Sequence, residues 1–217
     1  MARSGATHHA DDVFAVLNDE SEHSTIAASW RRRLTRHKLD PERPEPPVVL
    51  CGFELREARG LAGRMLRAAD PELDRLHDLV ASLGYAGFIT DAKGIMVARR
   101  VADMDESACR RWRLWPGAVW SEALEGTNGV GTCLAERRAI TVHRDQHFRT
   151  RHTCLTCTVS PLFDAAGRLA GALDISSFRP TVLRHSLGSA MNEACVHVVA
   201  VVCHRPAKSF ITARSFC

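Results

Sequence analysis

The chain has 217 residues, 45% of them hydrophobic and 25% charged, enough apolar material for one core of ordinary size with small helical additions. Its 29 basic and 25 acidic residues leave a formal charge of +4, too weak a field to single out nucleic acid as a partner. No apolar run has the form of a signal peptide or the length that spans a bilayer, so a cytoplasmic location is expected, with the eight cysteines as thiols rather than a disulfide framework.

Residues 1–24 are polar and His-rich without sustained periodicity, and they read as a flexible lead-in. From Thr25 a helix is predicted: Ile26, Ala27, Trp30 and Leu34 recur at helical spacing, while Arg31, Arg32, Arg33, Arg36 and Lys38 take the remaining surface. This basic patch lacks the partner helix of a helix-turn-helix, which favours a solvated face over a nucleic-acid contact. Four prolines between Leu39 and Pro47 predict a stiff connector and a boundary near residue 48. A second helix is predicted over about 54–69, and Asp70-Pro71-Glu72 has the form of a fresh helix start: N-cap, first-turn proline and an acid at the positive end. Leu73, Leu76, Leu79, Val80 and Leu83 form its apolar face, and Gly84 ends it.

Two short apolar runs, Tyr85 to Thr90 and Ile95 to Arg99, flank the turn Asp91-Ala92-Lys93-Gly94 and predict a β-hairpin. The device returns where Thr158 to Phe163 and Leu169 to Ile175 flank Asp164-Ala165-Ala166-Gly167. Between the hairpins lie a helical stretch near Glu106 to Trp112, a glycine-rich region and the strand Ala139 to His143. After Pro180 a helix is predicted through Leu183, Leu187, Met191, Ala194, Val198 and Val202, ended by Pro206. The order predicts an α+β domain over 70–205, an antiparallel sheet flanked by helices, with a helical N-terminal region over 25–69 and a tail over 206–217.

The segment from Trp115 to Thr132 is densest in chemistry. Gly126-Thr127-Asn128-Gly129-Val130-Gly131 has the glycine spacing of a phosphate loop, but Thr132 and Cys133 stand where a nucleotide site needs lysine and a hydroxyl. Its glycines either close a tight turn before a helix or line a ligand, with Trp120, Glu122, Thr127 and Asn128 as polar or aromatic candidates. A second cluster, His143, His147, His152, Cys154 and Cys157, carries the Cys-x-x-Cys gap common in metal sites but has no second such pair. It leaves open a metal or thiol redox sensor built on His147, His152, Cys154 and Cys157. No esterase elbow, zinc-protease helix or dinucleotide fingerprint is present, so no catalytic residue and no cofactor is expected. Cys157 and His147 as a nucleophile pair is the weakest alternative. Asp174 falls on the Ala170 and Ala172 face of its strand, as a solvent-facing group or a buried acceptor.

Trp120-Ser121-Glu122, Gly126 to Thr132, His143 to Phe148, Cys157 with Pro161 to Asp164, and Leu173-Asp174-Ile175-Ser176, in that order, together resemble the sensory GAF domain of acetoin-catabolism regulators, activators of sigma-54 RNA polymerase. Ile26 to Arg32 followed by Leu39-Asp40-Pro41 resembles the region that precedes it in that family. The resemblance implies a GAF fold, dimerisation through terminal helices and recognition of a small effector such as acetoin or a related alcohol or ketone. The candidate pocket residues are Trp120, Glu122, Thr127, Asn128, His143, His147, Cys157 and Asp174. The ATPase and helix-turn-helix modules through which the family reaches the transcription machinery have no counterpart in this sequence.

Overall fold

Both Asp-x-x-Gly turns close the hairpins predicted for them. In the computed structural model, which describes residues 4–17 and 24–178, β1 (Ala86–Asp91) pairs antiparallel with β2 (Met96–Arg100), and β4 (Thr156–Phe163) with β5 (Leu169–Ser177). Gly94 and Gly167 adopt φ of 80° and 74°, left-handed values that cost glycine little. In each turn the aspartate carboxylate accepts from the backbone amides two and four residues ahead, which fixes the register of the following strand. β3 (Ile140–His143) adds to β4, and pairing of β1 with β5 joins the hairpins into one antiparallel sheet of order β2-β1-β5-β4-β3.

Strand alternation sorts the sheet residues between two apolar cores. Ile89, Leu173 and Ile175 pack with Met65, Ala69, Leu73, Leu76 and Val80 of α4 (Gly63–Val80), preceded by α3 (Gly52–Leu61). On the opposite face Phe88, Met96, Val159 and Ala172 meet the crossover, which comprises α5 (Glu106–Arg111), α6 (Glu122–Glu125) and α7 (Gly129–Glu136). The N-terminal region supplies α1 (Ser4–Ala15) and α2 (Thr25–Arg36), the latter capped by Ser24, whose hydroxyl accepts from the Ala27 amide at 3.1 Å.

Three local expectations are corrected. Part of the segment read as a lead-in forms α1, with Ala10, Val13 and Val16 buried around its C-terminal half. No second start occurs at Asp70: α4 runs through Pro71, and the break falls at Ala62 instead. The face that buries Met65, Ala69, Leu73, Leu76 and Val80 is continuous across the proline, and that packing outweighs the missing amide. Asp70 serves as an anchor rather than a cap, since its carboxylate lies 3.1 Å from Arg100 of β2, which also bonds Asp74. Leu79 and Leu83, assigned to the apolar face, are exposed. The helix predicted after Pro180 lies outside the described residues. Among the described residues no helix is long and apolar enough to cross a membrane.

Because Pro71 is exposed and interior to α4, Pro71→Ala restores a helical amide. It is expected to raise the unfolding free energy by about 1–3 kcal/mol in urea titration. A loss of stability would place Pro71 at a helix start after all.

Candidate functional site

The face of the sheet beneath the crossover carries an unusual polar set within its apolar surroundings. Register places Phe88 of β1 and Val159 of β4 on either side of Asp174, with Ala172 and Ser176 as its neighbours along β5. Asp174 is 1% exposed, and the Ser176 hydroxyl donates to both of its oxygens at 2.9 and 3.0 Å. Burial pushes the Asp174 carboxyl up to about 7, the Ser176 hydrogen bonds opposing this only in part. Thr90, paired with Ala172 and so on the same face, is fully buried, and its hydroxyl has no hydrogen-bond partner among the described residues.

His147 and Cys157 come together here. Cys157 Sγ lies 3.5 Å from His147 Nε2, and His147 Nδ1 lies 2.9 Å from the Arg144 carbonyl. A carbonyl only accepts, so the ring proton sits on Nδ1 and Nε2 accepts from the thiol. Burial lowers His147 to about 4 and drives the Cys157 thiol far upward, so both are neutral. The pair therefore lacks the thiolate that nucleophilic chemistry requires. The Trp120 ring stands 4.8 Å from that of buried His152, and its indole donates to the Arg113 carbonyl.

A second set of residues gathers around Glu122, 5% exposed on α6. Ser29 of α2 donates to Glu122 Oε1, Thr132 of α7 donates to the same oxygen at 3.1 Å, and Arg33 Nη2 lies 2.9 Å from Oε2. With its one proton directed at Glu122, Ser29 accepts from Thr127 at 2.6 Å. Arg32 bridges Glu122 at 3.5 Å and Glu136 at 2.7 Å. Arg33, expected on the solvated face of α2, is thus buried in an ion pair. Sequence reasoning missed Ser29, Thr90 and Ser176 as site residues, took Arg33 for part of a solvated basic face, and named Thr132 only as a residue of the glycine loop. For Arg33 the only signal was a charge standing four residues before His37 on the same face as Ser29, which periodicity alone does not interpret.

The predicted residues accordingly fall into groups. Trp120, His147, Cys157 and Asp174 belong to the interior under the crossover, whereas Glu122 and Thr127 tie the crossover to α2. Asn128 caps α7: its side-chain oxygen accepts from the Gly131 amide and its nitrogen donates to the Gly126 carbonyl, both at 2.9 Å. Side-chain carbons at Gly129 and Gly131 would stand 2.4 Å from Cys157 Cβ and from the Glu122 amide nitrogen, so the glycine loop serves close packing. His143, half-buried at the edge of the sheet, pairs with Thr156 at 2.9 Å. Trp115, where the dense segment opens, is held apart between the guanidinium groups of Arg99 and Arg110, each 3.7 Å from its ring. The alternative metal set does not converge: Cys154 is exposed while Cys157 is buried, and no group of three or more potential metal ligands occurs among the described residues.

A five-stranded antiparallel sheet, backed by one long helix and covered on its other face by a helical crossover with a buried polar floor, defines a class of small α+β domain. Within it, the chain belongs to the GAF domain family, whose profile matches residues 64–205. It is 38% identical over 188 residues to the acetoin catabolism regulatory protein of Cupriavidus necator, covering 86% of this chain and 28% of that protein. Identity to the acetoin dehydrogenase operon transcriptional activator of Bacillus subtilis is 26% over 175 residues, 81% of this chain and 29% of that one. The chain thus spans under a third of the length of these relatives. A chain of the Escherichia coli DhaR(N)–DhaL complex shares the fold, with a TM-score of 0.76 at 20% identity, over 83% of this chain and 61% of that one.

Two outcomes follow from the geometry. Glu122→Gln strands the buried Arg33 charge and is expected to cost about 3–5 kcal/mol by urea denaturation, whereas Arg33→Met with Glu122→Leu costs far less. Asp174 is raised in the folded state above its ordinary 3.8 to about 7, so its contribution to stability is fully present below 3.8 and is lost as pH rises through about 7. Asp174→Asn should remove that component from the pH profile of thermal unfolding.

Proposed function

We propose that this chain is a small-molecule-sensing regulatory domain of a bacterial transcription activator, responding to acetoin or a related short alcohol or ketone. One observation carries the reading: Asp174 and Thr90 are buried together on one face of the sheet, and among the described residues only Ser176 donates to the first and nothing bonds the hydroxyl of the second. Polar groups with unused hydrogen-bonding capacity in a buried, mostly apolar setting suit a small uncharged ligand. In this reading Trp120, His147, Cys157 and Asp174 border the ligand, Asn128 and His143 support the surrounding loops, and Glu122 with Thr127 passes any shift of the crossover to α2. The names of the relatives support the effector class and a regulatory rather than enzymatic role. A cytoplasmic homodimer that reaches the transcription machinery through further domains completes the proposal.

Isothermal titration of the folded chain with acetoin, 2,3-butanediol and butanone tests it. Saturable binding of at least one compound is expected. A flat response to all three, from protein with a cooperative unfolding transition, would overturn small-molecule sensing of this class.

A further inference from the structure

We propose that Asp174 and Thr90 form a paired subsite that selects effectors carrying a hydroxyl beside a carbonyl over those carrying carbonyls alone. The inference rests on the sensing reading above and adds to it a rule of discrimination and the residues that enforce it.

Strand register places the two side chains together. Phe88 pairs with Asp174 and Thr90 with Ala172, so Thr90 and Asp174 are diagonal neighbours on adjacent strands of one face. Such neighbours stand about 7–8 Å apart at Cα, a span that one small molecule can bridge with two oxygens. The two side chains offer complementary chemistry. An ionised carboxylate only accepts, and its two oxygens have room for about four donors, whereas among the described residues Ser176 alone donates to Asp174. The Thr90 hydroxyl has a proton to give and no acceptor among the described residues. A hydroxyketone satisfies both at once, its hydroxyl donating to Asp174 and its carbonyl accepting from Thr90. A diketone of the same size places a second carbonyl oxygen against the carboxylate and leaves it unpaired. A carboxylate ligand fares worse still, because the named residues of this face, Phe88, Thr90, Cys157, Val159, Ala172, Asp174 and Ser176, include no cation to offset its charge against Asp174.

The other titratable groups here are Cys157 of β4, paired with Ser176 and held as a thiol by its burial, and His147 above it, lowered to about 4 by burial and so neutral. Asp174 is therefore the group whose charge decides the selection. Because burial pushes it up to about 7, the comparison is made at a pH of about 8.5, where the carboxylate predominates.

The experiment titrates wild-type chain, Asp174→Asn and Thr90→Val with acetoin, butane-2,3-dione and pyruvate by calorimetry, alongside thermal unfolding without ligand. Wild type is expected to bind acetoin at least about tenfold more tightly than the dione, with pyruvate weakest. In Asp174→Asn the ratio of acetoin to dione should fall to within about threefold, since an amide both donates and accepts. Thr90→Val keeps the side-chain shape while removing an unpaired buried hydroxyl. It should leave the ligand-free protein as stable or more so and still weaken acetoin by about tenfold. That combination is one a purely structural role for Thr90 does not produce. If Asp174→Asn fails to fold, Thr90→Val decides alone: undiminished acetoin binding overturns the subsite. Equal binding of acetoin and dione by wild type, or a ratio that Asp174→Asn leaves unchanged, overturns the selection rule and spares the sensing function. No binding of any compound removes both.

Discussion

The carboxylate of Glu122 is the junction on which the arrangement of the N-terminal region depends. One buried group receives Ser29 and Arg33 from α2 and Thr132 from α7, and through Ser29 it reaches Thr127 in the loop before α7. Removing a carboxylate and a guanidinium from water is costly, and the loss is offset only when geometry and additional donors satisfy both charges. Here several donors satisfy the carboxylate, while Arg33 Nε has no partner among the described residues, which leaves the junction intolerant of any shift that would break one of its bonds. Arg149 supplies a second attachment of the same kind: 2% exposed, it donates to the carbonyls of Asp40 and Leu124 at 2.6 Å each. The consequence is that α2 and the proline connector, which lie outside the 64–205 match to the family, are bonded into the crossover that covers the sheet.

Elements set by neighbours in sequence were legible before any coordinates. Asp91 to Gly94 and Asp164 to Gly167 announce their hairpins because carboxylate, turn and glycine lie within four residues. Alternation in β5 correctly separated Leu173 and Ile175 from Ala172 and Asp174. Pro71 misled for the converse reason: its local signal is that of a helix start, and the burial that overrides it comes from strands beginning fifteen residues later. The α1 helix was missed because the buried apolar positions of its C-terminal half, Ala10 and Val13, are too few to set a period on their own.

The site was legible in its residue types and less so in its partnerships. Six of the eight candidates fall in the two polar clusters, but the bond from Ser29 to Glu122 spans 93 positions and leaves no trace in local spacing. A serine within a run of arginines reads as surface until a carboxylate from elsewhere meets it. The His and Cys residues show the opposite limit. His147 and Cys157 do meet, yet burial decides their chemistry, and a dry interior favours the neutral thiol and neutral imidazole.

The far end of β5 gives this strand a further significance. Ser177 donates to the carbonyl of Gly84, which fixes the strand's exit to the point where α4 has ended and β1 is about to begin. The same strand carries Asp174 three residues earlier. The pinned corner at Ser177 thus has little slack between it and the buried carboxyl. In mechanical terms β5 is a short, stiff rod whose C-terminal half carries both the polar floor at Asp174 and Ser176 and the clasp of Ser177 to Gly84.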